Sequence, residues 1–119
     1  MNDHIHIEKL EVFAQIGVSD EERASPQRLV FNVTFWPAQQ AAELEDDIAR
    51  TVDYAAVCLE TKEFARNRAD RLIETLADAL AGHLLELFEI QRITVEARKF
   101  ILPDTDFVSV TVTRERSLK

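Results

Sequence analysis

Residues Leu29–Trp36 read LVFNVTFW. Leu29, Phe31, Val33 and Phe35 alternate with Val30, Asn32, Thr34 and Trp36, which is the period-two pattern of a strand with one strongly apolar face. Such a face needs a cover. The cover is predicted further along, where Leu72, Ile73, Leu76, Ala77, Leu80, Leu84 and Leu87 recur at helical spacing as a wide apolar stripe. Asp70 is placed to cap that helix. A preceding helix is expected from Tyr54, Val57, Cys58, Thr61 and Ala65, with Asp53 as its cap and a polar break at Arg66-Asn67-Arg68.

On the N-terminal side, His4–Phe13 reads HIHIEKLEVF. Ile5 and Ile7 alternate with polar neighbours, and Leu10, Val12 and Ala14 resume after a one-residue slip, so a strand with a bulge near Glu8–Lys9 is expected. Ile16-Gly17-Val18 and the polar stretch SDEERASPQ then connect it, antiparallel, to Leu29–Trp36. Gly17 permits a turn and Pro26 excludes a continuous central strand there. Ala38–Arg50 is alanine-rich and acidic and reads as a short helix and a loop. Ile93, Val95, Ala97 and Lys99 share one face of a third strand. After a linker with Pro103, Asp104 and Asp106, Val108, Val110 and Val112 mark a fourth, ending at Arg114. Strand, strand, helix, helix, strand, strand is an α+β order: a four-stranded antiparallel sheet with two helices on one face, as a single domain over residues 1–119. Four strands leave two open edges, and pairing of those edges between copies is one way to protect them.

Composition narrows the function. At 119 residues with 46% hydrophobic residues, the chain can bury a real core. Its formal net charge of -8 lacks the basic balance of a nucleic-acid binder, so no nucleic-acid partner is expected. No apolar run reaches the roughly 18 residues of a membrane span and no signal pattern opens the chain, so no membrane partner and a cytoplasmic location are expected. Cys58 is the single cysteine, which excludes an intrachain disulfide. The two glycines lie far apart, so no phosphate-cradling glycine loop exists. No Cys/His cluster has metal-ligand spacing. His4 and His6 share a strand face, which reads as an ordinary polar face, and His83 has no second ligand four residues away.

The notable polar groups are carboxylates, one tyrosine and one lysine. Glu74 falls in the first turn of the second helix, where a carboxylate gains from the helix dipole and can accept a bidentate pair of N–H donors. An ordinary first-turn glutamate would look the same. Tyr54 begins a helix after Val52-Asp53. Lys99 continues the inward alternation of Val95 and Ala97. It either reaches water at the strand end or is partly buried, and burial would favour the neutral amine as an acid–base group. Glu22 lies in the run Asp20-Glu21-Glu22, which alone reads as a solvated loop.

Taken together, Ile16-Gly17-Val18 followed by Glu22 and Gln27, LVFNV at Leu29–Val33, Asp46-Asp47-Ile48, TVDY at Thr51–Tyr54, LIETLA at Leu72–Ala77 and VSVTVTR at Val108–Arg114 resemble the dihydroneopterin aldolase family, whose relatives include dihydroneopterin triphosphate epimerases. The resemblance covers nearly the whole chain. It implies the tunnelling fold, in which four subunits close their sheets into one barrel and two rings often stack, with sites between subunits. It implies a small-molecule pterin substrate, no cofactor and no metal. Glu74 resembles the residue that holds the pterin's 2-amino and N3 edge, with backbone contacts from Val52 and Ile73 and with Tyr54 arriving from a neighbouring subunit. Glu22 and Lys99 would serve the reacting side, with Tyr54 exchanging a proton. The implied reaction is retro-aldol cleavage of 7,8-dihydroneopterin in folate biosynthesis. The alternatives are 2′-epimerisation of the triphosphate, for which Arg66 and Arg98 are available, and a ring protein that binds pterin without turnover. Two features depart from the family pattern: Phe100-Ile101-Leu102 stands where a proline-containing stretch usually follows the lysine, and another gap placement would put Ala97 at the lysine position.

Overall fold

The computed structural model describes residues 3–117. The elements in chain order are β1 (Ile5–Ile16), α1 (Asp20–Arg23), β2 (Gln27–Pro37), two short 3-10 turns (Ala41–Glu43 and Ile48–Arg50), α2 (Tyr54–Arg66), β3 (Ala69–Asp70), α3 (Ile73–Leu87), β4 (Ile90–Lys99) and β5 (Val108–Glu115). The sheet order is β3-β1-β2-β4-β5. The four long strands pair antiparallel, as their alternation predicts, and the two-residue β3 adds a parallel step beside the end of β1.

β2 is central because it is apolar enough to be covered. Its residues Leu29, Phe31, Val33 and Phe35 are fully buried, together with Val12 and Ile16 of β1 and Ile93, Val95 and Ala97 of β4. Leu76, Leu80 and Leu84 of α3 and Val57 and Ala65 of α2 close over them. Each large apolar side chain removed from water in this way stabilises the fold by roughly 1.5–3 kcal/mol. α2 packs on β1, and α3 packs on β4 and β5. Asp53 caps α2 as expected, its Oδ1 accepting the Ala55 N–H at 3.0 Å and the Ala56 N–H at 3.4 Å. At the other helix, Arg116 donates to the Ile90 carbonyl at 3.0 Å, to the Phe88 carbonyl at 2.8 Å and to that of Leu85. The cation thereby occupies the negative end of α3 and ties it to the end of β5.

Three expectations need correction. Asp70 does not cap α3: Leu72 holds the cap position without a side-chain bond, because Asp70 belongs to β3 and its carboxylate is taken by Arg68. Residues 38–50 form no α-helix, because Glu45 and Asp46 adopt positive φ values of 52° and 58° between the two 3-10 turns. The polar stretch after Gly17 is not all loop, since Ser19 Oγ accepts the Glu22 N–H at 3.1 Å and starts α1.

The bulge falls where the sequence places it. The β1–β2 register shifts between Ile7 and Leu10, and Lys9 turns to a φ of 56°. The freed Lys9 N–H donates to Asn32 Oδ1 at 2.7 Å, and Asn32 Nδ2 donates to Glu96 Oε1 at 2.7 Å. Asn32 is buried, so this chain of bonds is what makes a polar residue tolerable at the centre of β2. Burial pushes the Glu96 carboxyl upward, yet donors from Asn32, Arg98 and Ser109 outweigh it and hold the group below the usual carboxylate range. Replacing Asn32 by Ala leaves the Lys9 amide without its acceptor. We expect a loss of about 1–3 kcal/mol, read as a lower urea midpoint at unchanged m-value.

Candidate active site

Lys99 is the last residue of β4. It sits on the face that buries Ile93, Val95 and Ala97, so its stem continues the core while its amine emerges at the sheet's end. Only 12% of the side chain is exposed, and Nζ lies 2.6 Å from Glu22 Oε2. The sequence allowed a neutral amine in apolar surroundings, and the structure sets a carboxylate against it instead. The two groups form a close, largely shielded ion pair. Lys99 is the main reason the Glu22 carboxyl lies below its usual range, against the upward push of partial burial; the Val18 amide and the Gln27 side chain act in the same direction as Lys99.

The segment carrying Glu22 is held on several sides. Arg23 donates to the Gly17 carbonyl at 2.8 Å and to the Val18 carbonyl at 3.0 Å, and pairs with Asp20. Gln27 donates to the carbonyls of Ile16 and of Glu22, the latter at 3.4 Å. Gly17 has a φ of 149°, and a Cβ added there would collide with the Glu22 side chain. The sequence marked Gly17 as a turn and as part of the Ile16-Gly17-Val18 motif. Its further role is to let the carboxylate lie against the backbone.

The N–H of Gly17 donates to the Asp70 carbonyl at 3.2 Å, and Ile16 pairs with Asp70 in β3. Residues 71 and 72 then lead into α3, so Ile73 and Glu74 start at the same end of the sheet as Lys99 and Glu22. Ile73 is buried, and Glu74 is exposed in the first turn of α3. Val52 and Tyr54 lie elsewhere. Thr51, beside Val52, lines a small cavity with His4, Ile5 and Pro37 at the start of β1, whereas Lys62 and Arg66 near the end of α2 lie beside Glu11 and Phe13. The 13 residues of α2 span about 20 Å, and Tyr54 stands at the far end of that span from the Lys99–Glu22 pair. Tyr54 is 60% exposed there, while Val52 is buried. The six residues singled out in the sequence thus divide into a group of four and a group of two. Of the basic residues available for a phosphate, Arg66 pairs with Glu63 at 2.5 Å and Arg98 with Glu96 at 3.2 Å.

The depressed Glu22 pKa has a signed consequence. A carboxylate favoured in the folded state contributes stability that is complete above the unfolded value of about 4.3 and is lost as pH falls through the lower folded value. We therefore expect the stability difference between the wild type and Glu22→Gln to be constant near neutral pH and to shrink on acidification below pH 4, as read by urea unfolding across pH.

A family model described as dihydroneopterin aldolase, FolB, matches residues 5–114. The dihydroneopterin aldolase of Haemophilus influenzae is 36% identical over 98 residues, covering 82% of each chain. The Escherichia coli dihydroneopterin aldolase in complex with neopterin superposes with a TM-score of 0.87 at 27% identity, covering 94% of this chain and 98% of that one. A dihydroneopterin aldolase from Burkholderia, bound to guanine, gives 0.79 at 29% identity, with 97% and 92% covered. With a tunnelling fold of this likeness and a family match over nearly its whole length, the chain belongs to the dihydroneopterin aldolase family.

Proposed function

We propose that this chain cleaves 7,8-dihydroneopterin by a retro-aldol reaction to 6-hydroxymethyl-7,8-dihydropterin and glycolaldehyde, as a cytoplasmic step of folate biosynthesis. The observation that carries this reading is the Lys99–Glu22 contact of 2.6 Å, set at the sheet's end beside the first turn of α3. The two halves of that site suit the two halves of the substrate. Glu74 offers two carboxylate oxygens to the 2-amino and N3 donors of a pterin, with the Ile73 backbone beside it. Guanine, found on the Burkholderia relative, presents a similar amino-pyrimidinone edge.

The chemistry needs a base and an acid within reach of one substrate atom group. A base removes the proton of the 2′-hydroxyl as the C1′–C2′ bond breaks. The electron pair of that bond flows into the N5=C6 imine, and N5 takes a proton. Glycolaldehyde leaves with C2′ and C3′, and protonation at C1′ with loss of the N5 proton restores the N5=C6 imine and yields the hydroxymethyl product. The substrate therefore supplies its own electron sink, and Lys99 needs no Schiff base. Lys99 and Glu22, with a water between them and the substrate, serve the 2′-hydroxyl and N5, and Tyr54 returns the proton to C1′.

Tyr54 and Val52 stand at the far end of α2, a helix of about 20 Å, from the reacting pair in one chain, so this reading requires a second copy to bring them to the site. Copies joined edge to edge through their open strands, four to a barrel or eight in two stacked barrels, would do so and would also cover those edges. Free dihydroneopterin is favoured over its triphosphate in this reading, since Arg66 and Arg98 each face a carboxylate, Glu63 and Glu96.

The purified protein is expected to release glycolaldehyde from 7,8-dihydroneopterin in the presence of a chelator, and to act on the triphosphate far more slowly. No glycolaldehyde release would overturn the reading. Lys99→Ala should lower kcat by about 10²–10⁴-fold while neopterin still binds. Glu74→Ala should instead weaken neopterin binding by about 10–100-fold, the loss of a charged hydrogen-bonding group, as measured by fluorescence titration.

A further inference from the structure

The group of four is assembled from three segments: Lys99 on β4 and two that are tethered separately. Glu22 rides on the segment after β1, and Glu74 rides on α3. The direct backbone tie between them is β3, which is two residues long, extended by the Gly17 N–H to Asp70 carbonyl bond. A ladder so short holds little on its own. Asp70 is held by something else. Arg68 Nε donates to Asp70 Oδ2 at 2.8 Å and Arg68 Nη2 to Oδ1 at 3.0 Å, a two-pronged pair spanning a single intervening residue. The Asp70 side chain is 13% exposed and that of Arg68 34%.

Arg68 is anchored in turn. Its guanidinium lies over the Phe64 ring at 5.0 Å, Phe64 stacks on His83 at 4.4 Å, and His83 Nε2 meets Glu60 Oε1 at 2.9 Å. These contacts bridge α2 and α3, so a continuous line of touching groups runs from the seam between the helices through Arg68 and Asp70 to Gly17, against which Glu22 lies. We propose that Arg68 and Asp70 are positioning residues: their clasp sets the pterin-holding start of α3 at the correct distance from the Lys99–Glu22 pair. The assignment rests on the aldolase reading of that site. Neither residue is among the groups assigned to the substrate or to its proton transfers. The clasp is a partly exposed ion pair in a connecting segment, which ordinarily contributes little to global stability. Its removal should therefore show in turnover far more than in melting.

The test compares wild type, Arg68→Ala, Asp70→Ala and the double variant. The expected result is a kcat for 7,8-dihydroneopterin reduced about tenfold or more in each single variant, as for a small misplacement away from the chemistry. The Kd for neopterin should stay near the wild-type value, and Tm should move by no more than about 4 °C. The double variant should be no worse than the poorer single one, because the two residues act as one unit. Arg68→Lys, which keeps the charge but not the fork, should restore only part of kcat. Unchanged kcat in Arg68→Ala, or single losses that multiply in the double variant, would overturn the proposal. Amide exchange at Gly17, followed by NMR, provides a readout without turnover and should speed up in Arg68→Ala. Unchanged exchange at Gly17 would equally overturn it. If wild type fails to cleave dihydroneopterin, the aldolase reading falls, and the exchange rate still decides whether the clasp holds the segment. If Arg68→Ala does not fold, Arg68→Lys and Asp70→Asn carry the same two readouts.

Discussion

Two helices joined by residues 67–72 must run back across the sheet in opposite directions, and their lengths of 13 and 15 residues keep their starts apart. At 1.5 Å per residue each is about 20 Å long. The start of α2 and the start of α3 consequently lie at opposite ends of the sheet. Most of what is distinctive about the site follows from this. Glu74, Ile73, Lys99 and Glu22 gather at one end, Val52 and Tyr54 at the other, and no side-chain rotation closes that gap. The apolar stripe of α3 covers β4 and β5 and so fixes the direction in which the helix runs.

At the Lys99 end of the sheet, a charge pair stands where the core runs out. Ile93, Val95 and Ala97 are buried in succession along β4, and Lys99 takes the next inward position. Its amine can be there because a carboxylate meets it, and that carboxylate can be there because Gly17 has no side chain to oppose it. The geometry couples three sequence positions in β4, α1 and the turn after β1. Partial shielding of the pair from water strengthens the attraction, and each charged group limits the cost of burying the other.

The polar face of the sheet shows a different solution to burial. Asn32 sits in the middle of a strand that otherwise reads as core, yet its amide satisfies the backbone released by the β1 bulge and donates to Glu96. Here the sequence was informative in part. The phase slip between Ile7 and Leu10 exposed the bulge, because side-chain alternation has a strict period of two and an inserted residue breaks it. Nothing local indicated that Asn32 would be the acceptor, since the partners lie 23 residues apart.

The long strands and both helices were legible because each is set by a repeating apolar pattern that spans most of its length. Gly17, Glu22, Tyr54, Glu74 and Lys99 could also be singled out one by one, from motif order and residue chemistry. The sequence alone therefore determined the layer order, the buried faces and the identity of the candidate groups, all of which depend on local periodicity. Tertiary structure alone decided the pairings. Asp70 looked like a helix cap and proved to be a strand residue clasped by Arg68, because a carboxylate goes to whichever donor the fold brings nearest. Glu22 looked like part of a solvated acidic run and proved to be the partner of Lys99, 77 positions away in a register that only the assembled sheet defines. The separation of Tyr54 from Glu74 is likewise a consequence of helix length and direction, quantities that exist only once the chain has folded.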